Sequence, residues 1–256
     1  MAAEPILGRD RPAMANPATA GNDPAMPPSP FGTSMDTAAF VDLLLEAQVL
    51  RFGDFVTKSG RATPYFLNFG NLGAGSDIDL VGQAYADHLV SAHPDGFDVL
   101  FGPAYKGIPL VIATSIALHR DHGMDVAWCT NRKEAKDHGE GGVLMGHVPT
   151  DGDRVVIVED VTTAGTSVRE TVPLLAAAGA VDVIGLVIAV DRRERHTSGQ
   201  LSALEQLADE FDLHASAITD IDEVVDIVTR RDPDGSVLSG HDRDRIDAYR
   251  AQWGVG

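Results

Sequence analysis

Residues 155–167 read VVIVEDVTTAGTS, and this stretch decides the fold. Its four β-branched residues, 155–158, predict a strand that is buried on both faces of a parallel sheet. The small and hydroxyl-bearing residues that follow predict a loop, and residues 168–178 predict a helix. Open α/β sheets bind ligands in loops at the carboxyl ends of their strands, and helix N-termini attract phosphate. We therefore expect a phosphate site in this loop.

Two carboxylates, Glu159 and Asp160, stand between this strand and its loop. They would repel a phosphate, so we expect them to bind sugar hydroxyls or a hard cation beside it. The stretch lacks the Gly-Lys-Ser/Thr of a P-loop and the Gly-x-Gly-x-x-Gly of a dinucleotide site. An apolar strand, two acidic residues and Thr-x-Gly-Thr resemble the phosphoribosyl pyrophosphate (PRPP) motif of the type I phosphoribosyltransferases.

The composition indicates an ordinary globular protein. The chain has 256 residues, of which 44 % are hydrophobic, enough for one sizeable domain. No apolar run approaches the ~20 residues of a membrane span, and the start lacks the pattern of a secretory signal. The single cysteine, Cys129, fits a reducing compartment, so we expect a cytoplasmic protein. The net charge of −18 argues against binding to nucleic acids or membranes.

Lysine is scarce, and each lysine lies in a glycine-rich or loop-like segment: Lys58, Lys106, Lys133 and Lys136. In so acidic a protein, a few cations at one cleft would attract an anionic substrate. Lys106 belongs to the stretch FGPAYKG, residues 101–107, which again links a predicted strand to a predicted helix. A lysine at this edge of the sheet is suited to binding phosphate as a point charge.

Residues 131–142, NRKEAKDHGEGG, place three cations and a histidine within seven residues, followed by three glycines in four. A solvated charged loop is the ordinary interpretation of such a run. Two observations favour a mobile lid instead, because the segment holds half of the lysines and its glycines could serve as hinges. A cationic lid over a pyrophosphate would exclude water and stabilise charge on a leaving group.

The chain divides into three parts. Residues 1–34 are rich in Pro, Ala and Gly and are expected to be a disordered extension, and Met35 is an alternative start. Residues 35–256 are expected to form one domain, with a small hood at about 35–72, a core at about 77–230 and a C-terminal helix at 242–253. Strands alternating with helices predict an α/β fold with a central, mostly parallel sheet flanked by helices. A short strand ending at Cys129 and a polar loop over 130–142 are also expected.

Five segments together resemble the orotate phosphoribosyltransferases, in this order: KSGR at 58–61, PYF at 64–66, FGPAYKG at 101–107, the segment 131–142, and EDVTTAGT at 159–166. The stretch DRRER at 191–195 also matches. The similarity covers about residues 36–253. Segment 131–142 discriminates best, since other type I phosphoribosyltransferases share the PRPP motif without this lid.

This resemblance implies a reaction and an assembly. Orotate and PRPP would give orotidine 5′-monophosphate and pyrophosphate, a step of de novo pyrimidine (UMP) synthesis. The reaction would require Mg²⁺, which we expect substrate oxygens and water to hold, with no direct protein ligand. The family forms homodimers in which the lid, Asn131–Gly142, acts in the neighbouring subunit's site.

The resemblance also implies three sets of site residues. The catalytic set is Arg132, Lys136, His138 and Asp160. The PRPP-binding set is Lys58, Tyr105, Lys106, Arg132, Lys133, Lys136, His138, Glu159, Asp160, Val161, Thr162, Thr163, Ala164, Gly165, Thr166 and Ser167. The orotate-binding set is Phe66, Leu67, Thr163 and Arg192, in which Arg192 would pair with the substrate carboxylate.

Two positions depart from the family pattern and leave alternatives open. Glu159 stands where an aspartate is frequent, and Leu67 stands where an aromatic residue is common. Because Leu67 would alter the base pocket, a phosphoribosyltransferase for another base is one alternative. The other alternative is a PRPP-binding regulator without catalysis, which should carry an added DNA-binding domain; the retained Lys136 and His138 favour an enzyme.

Overall fold

The structure is a computed structural model that describes residues 34–57, 60–136, 142–195 and 199–255, with the backbone alone for 133–136. All of the predicted disordered extension except Ser34 lies outside this part of the chain. Within it, no helix combines the length and the apolar composition that crossing a membrane requires. The helices and strands are α1 Thr37–Glu46, β1 Leu50–Val56, β2 Ala62–Leu67, α2 Gly75–Ala92, β3 Val99–Gly102, α3 Gly107–His122, β4 Ala127–Lys136, β5 Gly142–Gly146, β6 Arg154–Glu159, α4 Thr166–Ala176, β7 Asp182–Asp191, α5 Ala203–Phe211, β8 His214–Asp220, α6 Ile221–Arg231 and α7 Gly240–Trp253.

The central sheet has the predicted α/β architecture. Across the described residues its strand order is β5-β4-β3-β6-β7-β8, and every neighbouring pair is parallel except β4 with β5. The deciding strand, β6, lies inside the sheet between β3 and β7. Its side chains at 155–158 are fully buried, which is why these four positions are apolar without alternation.

Helices cover both faces of this sheet. Val156 and Val158 of β6 belong to a cluster with apolar residues of α1, α2, α3 and α6. On the opposite face, Ile157 packs with Val168 of α4 and Leu207 of α5. Successive side chains of a strand point to opposite faces, so β6 contributes to both halves of the core. This placement leaves its carboxyl end, at Glu159, as the start of a loop at the edge of the sheet.

The first residues of the domain form a helix and a small antiparallel sheet outside the central sheet. Asp36 begins α1 by accepting a hydrogen bond from the backbone N–H of Ala39 at 2.7 Å. Strands β1 and β2 then pair antiparallel as a separate two-stranded sheet. The ring of Tyr65 in β2 meets Tyr249 of α7 edge-on, with 5.9 Å between ring centroids. The hood therefore packs against the C-terminal helix.

One prediction about the secondary structure was wrong. The polar segment from Thr130 was expected to be a loop, but β4 continues to Lys136 and pairs antiparallel with β5. Strand β5 was not predicted at all. Only Leu144 of β5 is buried, so neither strand of this ribbon shows the apolar alternation from which strands are recognised. Backbone pairing at the sheet edge forms the ribbon instead.

A buried histidine should make the unfolding free energy depend on pH. His93 is 8 % exposed, and burial, together with His214 nearby, lowers its pKa to about 4. In the unfolded chain the histidine has the ordinary pKa of 6.5, whereas in the folded protein the pKa is about 4. Between these two pH values the unfolded state therefore binds more protons than the folded state, and stability falls as the pH falls. We expect the wild type to lose about 1–3 kcal/mol more unfolding free energy than His93→Gln between pH 6.5 and 4. Urea unfolding across this range measures it, and parallel pH profiles for the two proteins would contradict it.

Candidate active site

The loop between β6 and α4 encloses a cavity of about 720 Å³ at the carboxyl edge of the sheet. Gly165 precedes α4 in the left-handed conformation, with a φ of 67° that favours glycine. Its backbone N–H donates to Thr162 Oγ1 at 3.1 Å, which closes the loop. The lining residues are Pro103, Ala104, Asn131, Arg132, Glu159, Val161, Thr162, Thr163, Ala164, Gly165, Thr166, Ser167, Glu170, Thr171 and Leu174.

Two acidic side chains lie where this loop begins. Asp160 is 7 % exposed, and its Oδ2 lies 2.8 Å from Nζ of Lys106. Ser167, in the first turn of α4, donates from Oγ to Oε2 of Glu159 at 2.8 Å. Burial raises the pKa of Glu159 to about 7, although the hydrogen bond from Ser167 opposes the shift. The structure thus joins the acidic pair to a cation on one side and to the helix N-terminus on the other.

The raised pKa of Glu159 predicts a stability cost at high pH. Stability that this carboxyl contributes is fully present below about pH 4.5 and is lost as the pH rises through about 7. Glu159→Gln keeps an acceptor for Ser167 and does not ionise. We expect it to exceed the wild type in unfolding free energy by about 1–3 kcal/mol at pH 8 and to match it at pH 4.5. Glu170→Gln, an exposed change on α4, is the control, and an equal gain in both variants would contradict the assignment.

The turn from β3 to α3 forms the neighbouring wall. Asn131 Oδ1 accepts a hydrogen bond from the backbone N–H of Ala104 at 2.7 Å, and Thr130 Oγ1 donates to the carbonyl of Gly102 at 2.6 Å. Strand β4 therefore holds this turn in place. Tyr105, 66 % exposed, and Lys106 follow in this turn, and the pairing of Lys106 with Asp160 brings the turn beside the acidic pair.

Glycine is required at 102 because this turn folds back on itself. A Cβ atom on Gly102 would lie 2.2 Å from the carbonyl oxygen of Gly107. We expect Gly102→Ala to lower the unfolding free energy by about 3 kcal/mol, because the turn that carries Lys106 must shift. In the control Gly75→Ala the added Cβ meets nothing within 4 Å. Thermal unfolding of both variants tests this, and a loss of stability no greater than that of the control would refute the crowding.

A second cavity, of about 470 Å³, shares Thr162, Thr163 and Ala164 with the first. Arg192 lines it from the end of β7 and is 8 % exposed. Both Nε and Nη2 of Arg192 donate to Oε1 of Glu194, at 2.9 and 2.7 Å. The other lining residues are Gly60, Arg61, Asp191, Glu194, Arg195, Ala203 and Trp253.

The site residues expected from sequence fall into three groups. The structure gathers one group around the two cavities: Thr163, Arg132, Glu159, Val161, Thr162, Ala164, Gly165, Thr166, Ser167 and Arg192, with Asp160, Tyr105 and Lys106 beside them. A second group cannot be placed, because Lys58 and His138 lie outside the described residues and Lys133 and Lys136 are described by backbone alone.

The third group, Phe66 and Leu67, lines neither cavity. The ring of Phe66 stacks on Phe55, with 5.4 Å between centroids. Leu67 is 7 % exposed and belongs to the hydrophobic core. Their predicted contact with the base therefore stays a prediction.

Sequence reasoning missed Glu194 and gave no role to Arg61, although both line the smaller cavity. Their charges in KSGR and DRRER were visible, but an acidic residue among arginines is normally read as a solvated salt bridge. Within the described ranges, His, Cys, Asp and Glu nowhere form a group of three or more that could hold a metal ion.

Comparisons with known proteins agree with this geometry. Residues 77–200 match the phosphoribosyl transferase domain family. An orotate phosphoribosyltransferase from Clostridium beijerinckii is 48 % identical over 217 residues, covering 84 % of this chain and 96 % of the relative. One from Thioalkalivibrio sulfidiphilus is 48 % identical over 216 residues, covering 84 % and 97 %. The crystal structure of an orotate phosphoribosyltransferase from Francisella tularensis superimposes with a TM-score of 0.72 at 32 % identity, covering 84 % and 98 %.

Proposed function

This chain belongs to the orotate phosphoribosyltransferase family, and we propose that its two joined cavities carry out the family's reaction. The observation that carries the proposal is that the cavity of the hydroxyl-bearing loop, beside two carboxylates, shares Thr162, Thr163 and Ala164 with the second cavity, which holds Arg192. The loop suits a sugar phosphate and the arginine suits a carboxylated base. The product would be orotidine 5′-monophosphate, for pyrimidine (UMP) biosynthesis.

The larger cavity would bind PRPP. Backbone N–H groups within 163–167 and the hydroxyls of Thr163 and Thr166 would hold the 5′-phosphate at the N-terminus of α4. The hydroxyl of Ser167 would join them by turning away from Glu159, to which it donates in the absence of substrate. Val161, Thr162, Ala164 and Gly165 would shape the loop around the phosphate. Glu159 and Asp160 would face the ribose hydroxyls, as their position at the start of the loop allows. This arrangement would fix the ribose with its C1 toward the smaller cavity.

Bond breaking at C1 develops opposite charges that the site can stabilise. A ring nitrogen of orotate would attack C1 and lose its proton to water, the bond from C1 to the pyrophosphate oxygen would break, and the electron pair of that bond would leave with the pyrophosphate. Tyr105 and Lys106 would hold the leaving group, and Lys58 would lie near PRPP and the base. Asp160 would stabilise positive charge on the ribose. No covalent intermediate with the protein is needed, since positioning brings the reactants in line.

Orotate would occupy the smaller cavity. The guanidinium of Arg192 would bind its carboxylate through charge-assisted hydrogen bonds, and Thr163, which lines both cavities, would contact the base beside the ribose. Phe66 and Leu67 lie in β2, the hood strand that Arg61 precedes. Their contact with the base would require this end of β2 to shift toward the cavity when orotate binds.

The side chains beside the larger cavity suit a Mg²⁺ ion that is bound mainly by substrate oxygens and water. The acidic pair lies beside the cavity, but Asp160 already pairs with Lys106 at 2.8 Å and Glu159 accepts a hydrogen bond from Ser167 at 2.8 Å, so the two carboxylates offer too few ligands for an octahedral ion. Substrate oxygens and water would therefore supply most of the ligands. When bound, Mg²⁺ neutralises charge on the pyrophosphate. Glu159 is the side chain of this chain that would orient the ion's water shell.

The proposal includes a homodimer and a lid. Arg132, Lys133, Lys136 and His138 of the segment Asn131–Gly142 would close over the pyrophosphate in the neighbouring subunit's site. Strand β4 supports this proposal, because it carries the segment out from the sheet edge as a ribbon with β5. We also propose the cytoplasm as the compartment, which the buried free thiol of Cys129 supports.

A base panel tests the proposed substrate. Purified protein is mixed with PRPP, Mg²⁺ and one base at a time, namely orotate, uracil, adenine or hypoxanthine, and the absorbance of the base is followed. We expect orotate alone to be consumed. Turnover of another base would overturn the assignment of the smaller cavity, and no turnover of any base would overturn the proposed activity.

A further inference from the structure

Glu194 is a buried carboxylate that holds three side chains at the wall of the smaller cavity. It is 8 % exposed. Its Oε1 accepts from Arg192 Nε at 2.9 Å, from Arg192 Nη2 at 2.7 Å and from the hydroxyl of Tyr65 at 2.6 Å. Its Oε2 pairs with Nη2 of Arg61. Both oxygens are therefore engaged, and they join the hood to the end of β7.

The cluster of Arg61, Arg192 and Glu194 has a net charge of +1. Arg61 and Arg192 contribute two cations and Glu194 one anion, and all three line the cavity. A buried net charge is unfavourable unless a counter-charge joins it. One ligand carboxylate would supply that counter-charge, whereas a neutral base would leave it missing. The cluster is thus matched to an anionic base.

Glu194 also fixes the orientation of Arg192. It occupies the edge formed by Nε and Nη2, so Nη1 is the nitrogen that Glu194 does not engage. The ring of Tyr65 lies 5.1 Å from Cζ of the same guanidinium. A long side chain held by one edge and by one face loses little further freedom when a ligand arrives.

Arg61 is held in turn by aromatic rings of the C-terminal helix. Its Cζ lies 4.9 Å from the ring centroid of Trp253 and 5.6 Å from that of Tyr249. Glu194 itself forms an antiparallel bridge with Gly254. The hood, the end of β7 and the C-terminal helix therefore meet at one carboxylate, beside the cavity that would take the base.

We propose that Glu194 is a positioning residue for base recognition, which sets the guanidinium of Arg192 and the charge of Arg61 for a carboxylated base. This inference rests on the proposed function of the smaller cavity. It adds a residue that acts through Arg192 and Tyr65 rather than by touching the phosphoribosyl donor. If Glu194 acts in this way, replacing it changes the KM for orotate without a matching change in the KM for PRPP.

The test measures both KM values for Glu194→Gln and Tyr65→Phe. Gln cannot pair ionically with the two arginines, so we expect the KM for orotate to rise about 10- to 100-fold, with the KM for PRPP within about twofold. Tyr65→Phe keeps the ring and removes one bond to Glu194, and a rise of about 3- to 10-fold is expected for orotate alone. Asp121→Asn is the matched control, since the buried side chain of Asp121 pairs with Arg120 at 2.6 Å and lines neither cavity.

The KM values of the variants either support or overturn the positioning role of Glu194. An orotate KM of Glu194→Gln within twofold of the wild type would overturn it, and so would an equal rise for both substrates, which a merely structural role predicts. If Glu194→Gln does not fold, Tyr65→Phe decides by the same criterion. A wild-type protein that does not consume orotate would refute the proposed function before any variant is compared, so the two failures are distinguishable.

Discussion

Replacing Lys136 by alanine is expected to lower kcat by about 100- to 1000-fold, the loss typical of one preorganised charge on a leaving group. The dissociation constant for PRPP should change by less than about threefold, because the lid would engage mainly in the closed state. Lys136 ends β4, where its backbone pairs with Gly142 of β5. Steady-state kinetics with orotate and equilibrium binding of PRPP measure the two quantities separately.

The variant Lys136→Arg is the control, because it keeps the charge and should recover part of the rate. An unchanged kcat in Lys136→Ala would contradict the lid assignment.

Mixing Lys136→Ala with Arg192→Ala tests the neighbouring-subunit proposal. Random exchange of subunits forms one intact site in each mixed dimer, so about a quarter of the wild-type activity should return. No recovery on exchange would place the lid in its own subunit's site.

Replacing Arg192 by alanine is expected to raise the KM for orotate by about 100-fold, because the substrate carboxylate loses a charged partner and meets Glu194, whose charge only Arg61 then offsets. The KM for PRPP should stay within about twofold. The unfolding free energy should also fall by about 3 kcal/mol, since the variant leaves a buried carboxylate with less compensation. Kinetics with each substrate varied in turn, together with urea unfolding, measure these effects.

Arg193→Ala is the matched control for this prediction. Arg193 is adjacent in sequence, but it pairs with Asp220 at 3.4 Å and does not belong to the residues that line the smaller cavity. We expect this control to leave both KM values close to those of the wild type. Equal effects of the two variants would mean that Arg192 acts through local structure and has no specific role in base binding.

The deciding strand and its loop were predictable because their signals are local. Four consecutive β-branched residues specify a strand buried on both faces, and the glycine and hydroxyl residues that follow specify a loop and a helix start. Both features are present in β6 and α4. The sequence predicted Gly165 only as part of a loop of small residues, and the structure adds its left-handed conformation.

Other parts of the site depend on contacts that one sequence does not display. Glu194 meets Arg61 across 133 residues and Tyr65 across 129, so no local pattern could reveal the cluster. Three arginines stand within residues 192–195, and their sequence neighbours do not distinguish them. In the structure Arg195 donates from Nε to the carbonyl of Gly254 at 2.7 Å. Tertiary packing alone decides which of these side chains lines the cavity.

The measurement that tests the central claim most directly is phosphorus NMR of the complete reaction. Purified protein is incubated with PRPP and Mg²⁺, first without and then with orotate. We expect the PRPP resonances to persist until orotate is added and then to be replaced by pyrophosphate and one new phosphomonoester in equal amounts. Persistence of PRPP after addition of orotate, or release of pyrophosphate without orotate, would contradict the account.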